Sequence, residues 1–337
     1  MGWFMSGTLI GPAFGPFLGG IIVTYSSWRT IFWLQTALAG TGLVGVFFLV
    51  PETIHHKKIA DLEGLPRKQR TRAILGMINP LRVLRWFRHL NLCLVAIASS
   101  SLVWNMYSLL TPIRYVLNPR FNLETPLLSG LFYLAPGCGY LLGTFGGGHW
   151  ADWTVRRWIG KRGRRVPEDR LRSVLPFLGV VIPGCVLIYG WTVDQEKGGI
   201  PVPVIVLFLQ GIAQLFCFPA LNTYCLDVMP GRGAEVAAAN FFMRYLAGCL
   251  GTGVVLPIVQ SIGVGWFSTI SALLMVASAG GLMVAIRRGD GWVSKVKDDK
   301  VHGRPEELTS QAEGSNRVGN KPIGEKGDGP TDTKELV

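Results

Sequence analysis

The chain has 337 residues, 49% of them hydrophobic and only 16% charged, with a formal net charge of +12. That charged fraction is well below the roughly 25% of soluble domains. The charges crowd between eight nearly uncharged stretches, which argues against a soluble enzyme. The Lys and Arg residues sit in alternate loops, so a membrane explains the positive charge better than nucleic acid does.

Each stretch is about 20 residues, the length a helix needs to cross about 30 Å of hydrocarbon. The expected fold is all-α: a polytopic helical bundle with spans at 3–24, 29–50, 91–117, 127–150, 173–193, 201–226, 235–260 and 265–286. The first span carries Gly2, Gly11, Gly15-Pro16 and Gly19-Gly20. Gly11, Gly15 and Gly19 recur every four residues and share a helix face, where small residues let a partner helix approach closely. Pro16 removes a helix hydrogen bond and favours a kink. The second span is entered by Trp28-Arg29-Thr30-Ile31-Phe32-Trp33 and left by Pro51-Glu52-Thr53.

A long loop at 51–90 holds nine Lys or Arg, and residues 80–88 interleave apolar side chains with arginines, as in a short amphipathic helix lying on a bilayer or in an ordinary basic linker. Residues 151–172 hold eight more basic residues, while the intervening loops carry Arg120 and Lys197 alone. Positive loops stay cytoplasmic, which places 51–90, 151–172, 227–234 and the tail inside. The expected organisation is two helices over 1–50, a basic central loop over 51–90, a six-helix bundle over 91–288 and a disordered, polar cytoplasmic tail over 289–337.

Ionisable residues inside a span are costly and usually face a cavity or a polar partner. Arg114, just after the helix-breaking Thr111-Pro112, either snorkels to the outer interface or faces a solute path. Arg244, about three turns inside its span, has less room to escape. Asn105, Gln210, Gln214, Asn222 and Asn240 are further candidates for a substrate pathway, with interhelical hydrogen bonding as the competing explanation for each. No carboxylate occupies the middle of a span; Asp227 and Glu235 lie at helix ends. The six cysteines are scattered singly, without CxxC pairs or histidines at ligand spacing, and read as small buried hydrophobes rather than metal ligands. No phosphate loop or nucleophile-base set appears, so neither cofactor nor enzymatic activity is expected.

The order Gly2, Gly11, Gly15-Pro16, Gly19-Gly20 resembles the antiporter signature in the fifth helix of major-facilitator drug:proton antiporters, with every fixed position filled. Gly148-His149-Trp150-Ala151-Asp152 followed by Arg156 and Arg157 is similar to that superfamily's cytoplasmic loop motif, with Trp153 in place of a basic residue. Residues 165–171 and 240–244 add a likeness to fungal twelve-helix carriers of the multidrug and quinidine-resistance kind. The resemblance covers about residues 1–288 and aligns the first two spans with the fifth and sixth helices, so a chain lacking the first four is expected. It implies alternating access around a central site, export of an amphipathic drug, metabolite or small organic acid against inward proton flow, and a plasma-membrane location, although a vacuolar membrane satisfies the same hydropathy. A truncated membrane protein that inserts without transporting is the competing reading.

Overall fold

The computed structural model describes residues 2–51, 80–122, 125–164, 166–229 and 232–302 together with positions 66 and 71; for 2–10, 12–13, 80–83 and 290–302 it describes the backbone alone. Every regular element among these residues is helical. Apolar runs of this length bury their backbone hydrogen bonds within themselves, which is the one way an open chain satisfies them in lipid.

Helices α1 (Gly2–Tyr25) and α2 (Arg29–Leu49) come first, separated by a turn at 26–28. A 3₁₀ helix, Pro80–Arg88, leads into α3 (Leu90–Leu110). The chain breaks at Thr111-Pro112, as the sequence predicts, and resumes as α4 (Ile113–Phe121). Asn122 ends α4 in the left-handed conformation (φ 50°) that asparagine tolerates. Thr125 then caps α5 (Pro126–Leu131) by accepting the Leu128 N–H, with Pro126 at the first turn. The long α6 (Leu134–Arg162) stops at Gly163 (φ 72°). A short α7 (Asp169–Arg172), a π-helical turn (Phe177–Val181) and α8 (Ile182–Asp194) form the next pass, followed by α9 (Pro201–Val228) and α10 (Gly233–His302).

Among the described residues, six helical stretches are long and apolar enough to cross a membrane. The eight expected spans differ from these six for two reasons. The described side chains of α1 give only a shorter apolar segment, Phe14–Tyr25. The last two spans form one helix interrupted only at Gly263, whose φ of 84° and ψ of 165° leave the helical region. Its Gly233–Gly289 part is 57 residues long, enough for two passes at about 1.5 Å per residue. Asp194 fixes the break: its Oδ1 accepts the Val264 N–H at 3.1 Å and the Gly265 N–H at 3.3 Å, capping the restarted helix. Nearby, Arg120 donates to the carbonyls of Thr192, Val193 and Lys197 and so closes the end of α8.

Helices α6 and α9 form a tight seam. A Cβ on Gly139 would stand 2.3 Å from the Phe208 carbonyl oxygen, one on Gly143 2.7 Å from Leu215 Cβ, and one on Gly147 2.4 Å from the Leu215 carbonyl oxygen. Three glycines four residues apart therefore let two backbones touch. The same spacing in α1 behaves otherwise: Gly11 and Gly15 have nothing within 4 Å and Gly19 meets only Ile31, whereas Gly20 faces the Pro126 carbonyl oxygen at 2.8 Å. The close approach of α1 to α5 thus runs through Gly20, beside the expected glycine face. Helix α2 packs on α1 but has no buried residue.

Three other expectations change. Helix α6 runs to Arg162, so much of the expected basic loop at 151–172 is helical. Helix α10 continues to His302, past the position where composition predicts disorder; 303–337 lie outside the described residues. Residues 80–88 are 3₁₀-helical and anchored through Trp86, 9% exposed, with Arg232 over its ring at 5.8 Å; most of the basic loop before them lies outside the described residues. Of the cysteines, Cys185, Cys217 and Cys225 are buried, but Cys138 and Cys249 are exposed.

Candidate functional site

Helices α3, α9 and α10 are apolar overall yet bury polar side chains where they meet. Arg244 of α10 is 6% exposed. Its Nη2 donates to Asn222 Oδ1 of α9 at 2.8 Å and to Ser99 Oγ of α3 at 3.3 Å. Asn240, one turn earlier on α10, donates to the same Asn222 oxygen at 3.5 Å. The guanidinium lies over the rings of Phe218 at 4.7 Å and Phe241 at 5.2 Å, where the quadrupole of each ring attracts a cation. Among the described residues no carboxylate pairs with it.

This geometry sorts the pathway candidates. Asn222, Asn240 and Arg244 come together in one cluster that joins two helices and touches a third through Ser99. Gln214 belongs to the scaffold: it accepts from the Tyr140 hydroxyl at 3.0 Å and donates to the Leu102 carbonyl at 3.2 Å, crosslinking α6, α9 and α3. Asn105 and Gln210 are buried on the same helices without a hydrogen bond to the cluster. Both amide atoms of Asn105, Gln210 Nε2, Asn240 Oδ1 and Arg244 Nε have no hydrogen-bond partner among the described residues. Burying such groups unsatisfied costs about 1–3 kcal/mol each, a cost that water or a polar guest would offset. Ser99, Phe218 and Phe241 were not among the sequence candidates. The Ser99-Ser100-Ser101 run in an apolar span, and the Phe218/Asn222 and Phe241/Arg244 spacings of four and three, are the signals that reveal them.

Arg114 stands elsewhere. It is exposed on α4 and lines a cavity of about 280 Å³ with Gly19 and Val23 of α1, Asn118, Ser129 and Tyr133. None of the other six pathway candidates lines this cavity.

A sequence model of the Major Facilitator Superfamily matches residues 1–252. The chain belongs to the major facilitator superfamily. It is therefore a multi-pass membrane protein of a transporter family, not an enzyme. It is 26% identical to the MFS-type transporter tstD of Talaromyces stipitatus over 91% of this chain and 62% of that protein. Quinidine resistance protein 3 of Saccharomyces cerevisiae is 27% identical over 67% of the chain and 33% of its own length. Efflux pump radE of Floropilus chiversii is 27% identical over 80% of the chain and 53% of its own length. The chain thus spans less than two thirds of each of these relatives.

Two superfamily-like motifs can be placed on this frame. Of the antiporter-type residues, Pro16 and Gly19 border the Arg114 cavity, Gly20 makes the close backbone contact, Gly11 and Gly15 face open space, and the surroundings of Gly2 lie outside the described residues. The loop-type motif lies on α6: Gly148 meets nothing within 4 Å, Asp152, Arg156 and Arg157 are exposed, and Arg157 stacks over Trp153 at 5.2 Å. Among the described residues, ion pairs at this end form further along the chain. Buried Asp169 binds Arg162 and Arg172, each at 3.3 Å, and Arg170 binds Asp227 at 3.0 Å.

Proposed function

We propose that this chain serves solute transport of the major-facilitator kind, moving a small amphipathic drug, metabolite or organic acid outward by alternating access. The observation that carries the reading is the Arg244–Asn222–Asn240 cluster: a buried cation that no carboxylate pairs among the described residues, with Asn240 Oδ1 and Arg244 Nε left without a partner there. A soluble partner for that charge explains its retention at a buried position better than stability does. Names such as efflux pump and quinidine resistance among the relatives support outward drug or metabolite transport. The basic loops at one end support a cytoplasmic face there, with the plasma membrane as the first location to test and the vacuolar membrane as the second.

Proton coupling is part of the proposal through the resemblance of the Gly2-to-Gly20 pattern to the antiporter signature. The carboxylates Asp194, Asp227 and Glu235 lie near helix ends, so the coupling group belongs to another part of the translocation path. Arg114, Asn105, Gln210 and Gln214 complete the proposed pathway, with Gln214 in a scaffolding role.

A second reading, a membrane protein that inserts without transporting, is favoured by the exposure of every described residue of α2, or its incomplete burial. One experiment separates the two. The tagged chain in secretory vesicles should drive movement of carboxyfluorescein or rhodamine dye when a proton gradient is imposed. Transport that depends on Arg244 supports the first reading; correctly inserted protein without transport of any dye supports the second.

A further inference from the structure

We infer that the cavity around Arg114 binds an organic anion at the sparsely charged ends of the helices, as a station separate from the Arg244 cluster. This rests on the transporter reading for its role but not for its existence. Four observations converge. The cavity is open to one side and has a volume of about 280 Å³, close to the lower edge of the roughly 300–1,000 Å³ typical of small-molecule pockets. Arg114 has neither hydrogen bond nor ion pair among the described residues, so its charge is not consumed by the fold. The polar groups beside it are already oriented: Ser129 donates to Asn118 Oδ1 at 2.8 Å, Tyr133 donates to the Leu110 carbonyl at 2.9 Å, and Thr125 accepts the Leu128 N–H at 3.4 Å. No acidic side chain lines the space, while Pro16, Val23 and Ile31 supply an apolar wall.

A guanidinium presents a planar fork of donors that matches a carboxylate or sulfonate. An apolar wall opposite it accepts a ring or short alkyl body. The cavity therefore selects a small molecule with an acidic head and an apolar body, and rejects cations through the uncompensated charge of Arg114. The position fits a solute about to leave: the walls come from α1, α4, α5 and Ile31 of α2, beside the 26–28 turn and the end of α4 at Asn122, not from the helix contact that holds Arg244. An anionic lipid headgroup shares the same chemistry, and the test distinguishes it from a solute.

The experiment uses the whole chain in lipid nanodiscs, with Cys93, Cys138 and Cys249 changed to serine and Val23→Cys as reporter. Its rate of labelling by a methanethiosulfonate reagent is read with and without naphthalene-2-sulfonate, and with the neutral naphthalene-2-sulfonamide as control. In phosphatidylcholine discs the sulfonate should slow labelling at least five-fold and the sulfonamide less than two-fold. Arg114→Gln should abolish the difference and Arg114→Lys should keep part of it. Equal protection by both compounds, or protection that survives Arg114→Gln, would overturn the inference. So would a reporter thiol that does not react at all, since the cavity would then be closed. Slowing produced by phosphatidylglycerol alone, dependent on Arg114, would reassign the anion to a lipid headgroup. Transport is not measured, so a chain that binds without transporting still supports this inference while counting against the proposed function.

Discussion

Arg244 donates to Asn222 across the α9–α10 contact at 2.8 Å, and that bond holds a cation that no acid among the described residues compensates. Removing the side chain has two effects that must be separated. Arg244→Ala loses a charged hydrogen bond worth about 1.5–3 kcal/mol and leaves a void. Arg244→Met fills the void without the charge, and apolar replacement of a buried ion is often neutral or stabilising. We predict that Arg244→Met keeps the thermal stability of the parent and loses transport wherever the parent transports. Unfolding can be followed by maleimide-dye reaction with the buried thiols of Cys185, Cys217 and Cys225. Equal destabilisation by Met and Ala would make the residue structural.

The α6–α9 seam predicts a contrast between neighbours. A Cβ at Gly147 would sit 2.4 Å from a backbone oxygen, whereas Gly148 has open space. Gly147→Ala should destabilise by about 1–3 kcal/mol through overpacking, while Gly148→Ala should be neutral or gain up to about 1 kcal/mol in helix propensity. Gly15→Leu, which the four-residue spacing in α1 marks as disruptive, should leave protease resistance of this chain unchanged because nothing stands within 4 Å. A melting curve lowered equally by all three would show that glycine itself, not its neighbours, matters.

At the opposite end from the basic loops, Asp194→Ala removes the cap from Val264 and Gly265. A lost cap costs about 0.5–2 kcal/mol. Hydrogen exchange should accelerate at the amides just after Gly263 and stay slow at the centre of α10. Gly263→Ala should be worse, since φ 84° is strained for alanine and its Cβ would stand 2.9 Å from Asp194 Oδ1. Unchanged exchange after Asp194→Ala would remove the cap from the account.

The pair of arginines on Asp169 predicts non-additivity. Asp169 is fully buried and receives both Arg162 and Arg172. Either arginine changed to glutamine leaves one partner, whereas the double change strands a buried carboxylate. The double variant should lose at least 1 kcal/mol more than the sum of the single ones, read from the same thiol-based melts. Simple additivity would mean that the pairs act independently.

The sequence made the class of fold legible because charge-free runs of about 20 residues and alternating basic loops leave few alternatives. The break at Thr111-Pro112 was equally plain, since proline removes a donor. The boundary near Gly263 was not: one residue suffices, and its cap comes from Asp194, some 70 positions earlier. The glycine rows show the limit of pattern alone. Gly11-Gly15-Gly19 and Gly139-Gly143-Gly147 have the same spacing, and among the described residues only the second row lies hard against another helix's backbone. For the candidate site, Arg244 was visible as a charge in an apolar span. The division between Gln214, which is satisfied, and Asn105, which is not, required knowing which helices adjoin.

The seam between α6 and α9 also constrains how the protein is made. The two helices are not consecutive; α8 must be inserted between them. During synthesis at roughly 5–20 residues per second, the glycine-lined flank of α6 waits several seconds in the bilayer before its counterpart leaves the ribosome. In that interval Gly139, Gly143 and Gly147 present a groove with nothing to fill it, and Tyr140 lacks the Gln214 that later receives its hydroxyl. A nascent chain halted there carries an uncovered strip of backbone where α9 would pack.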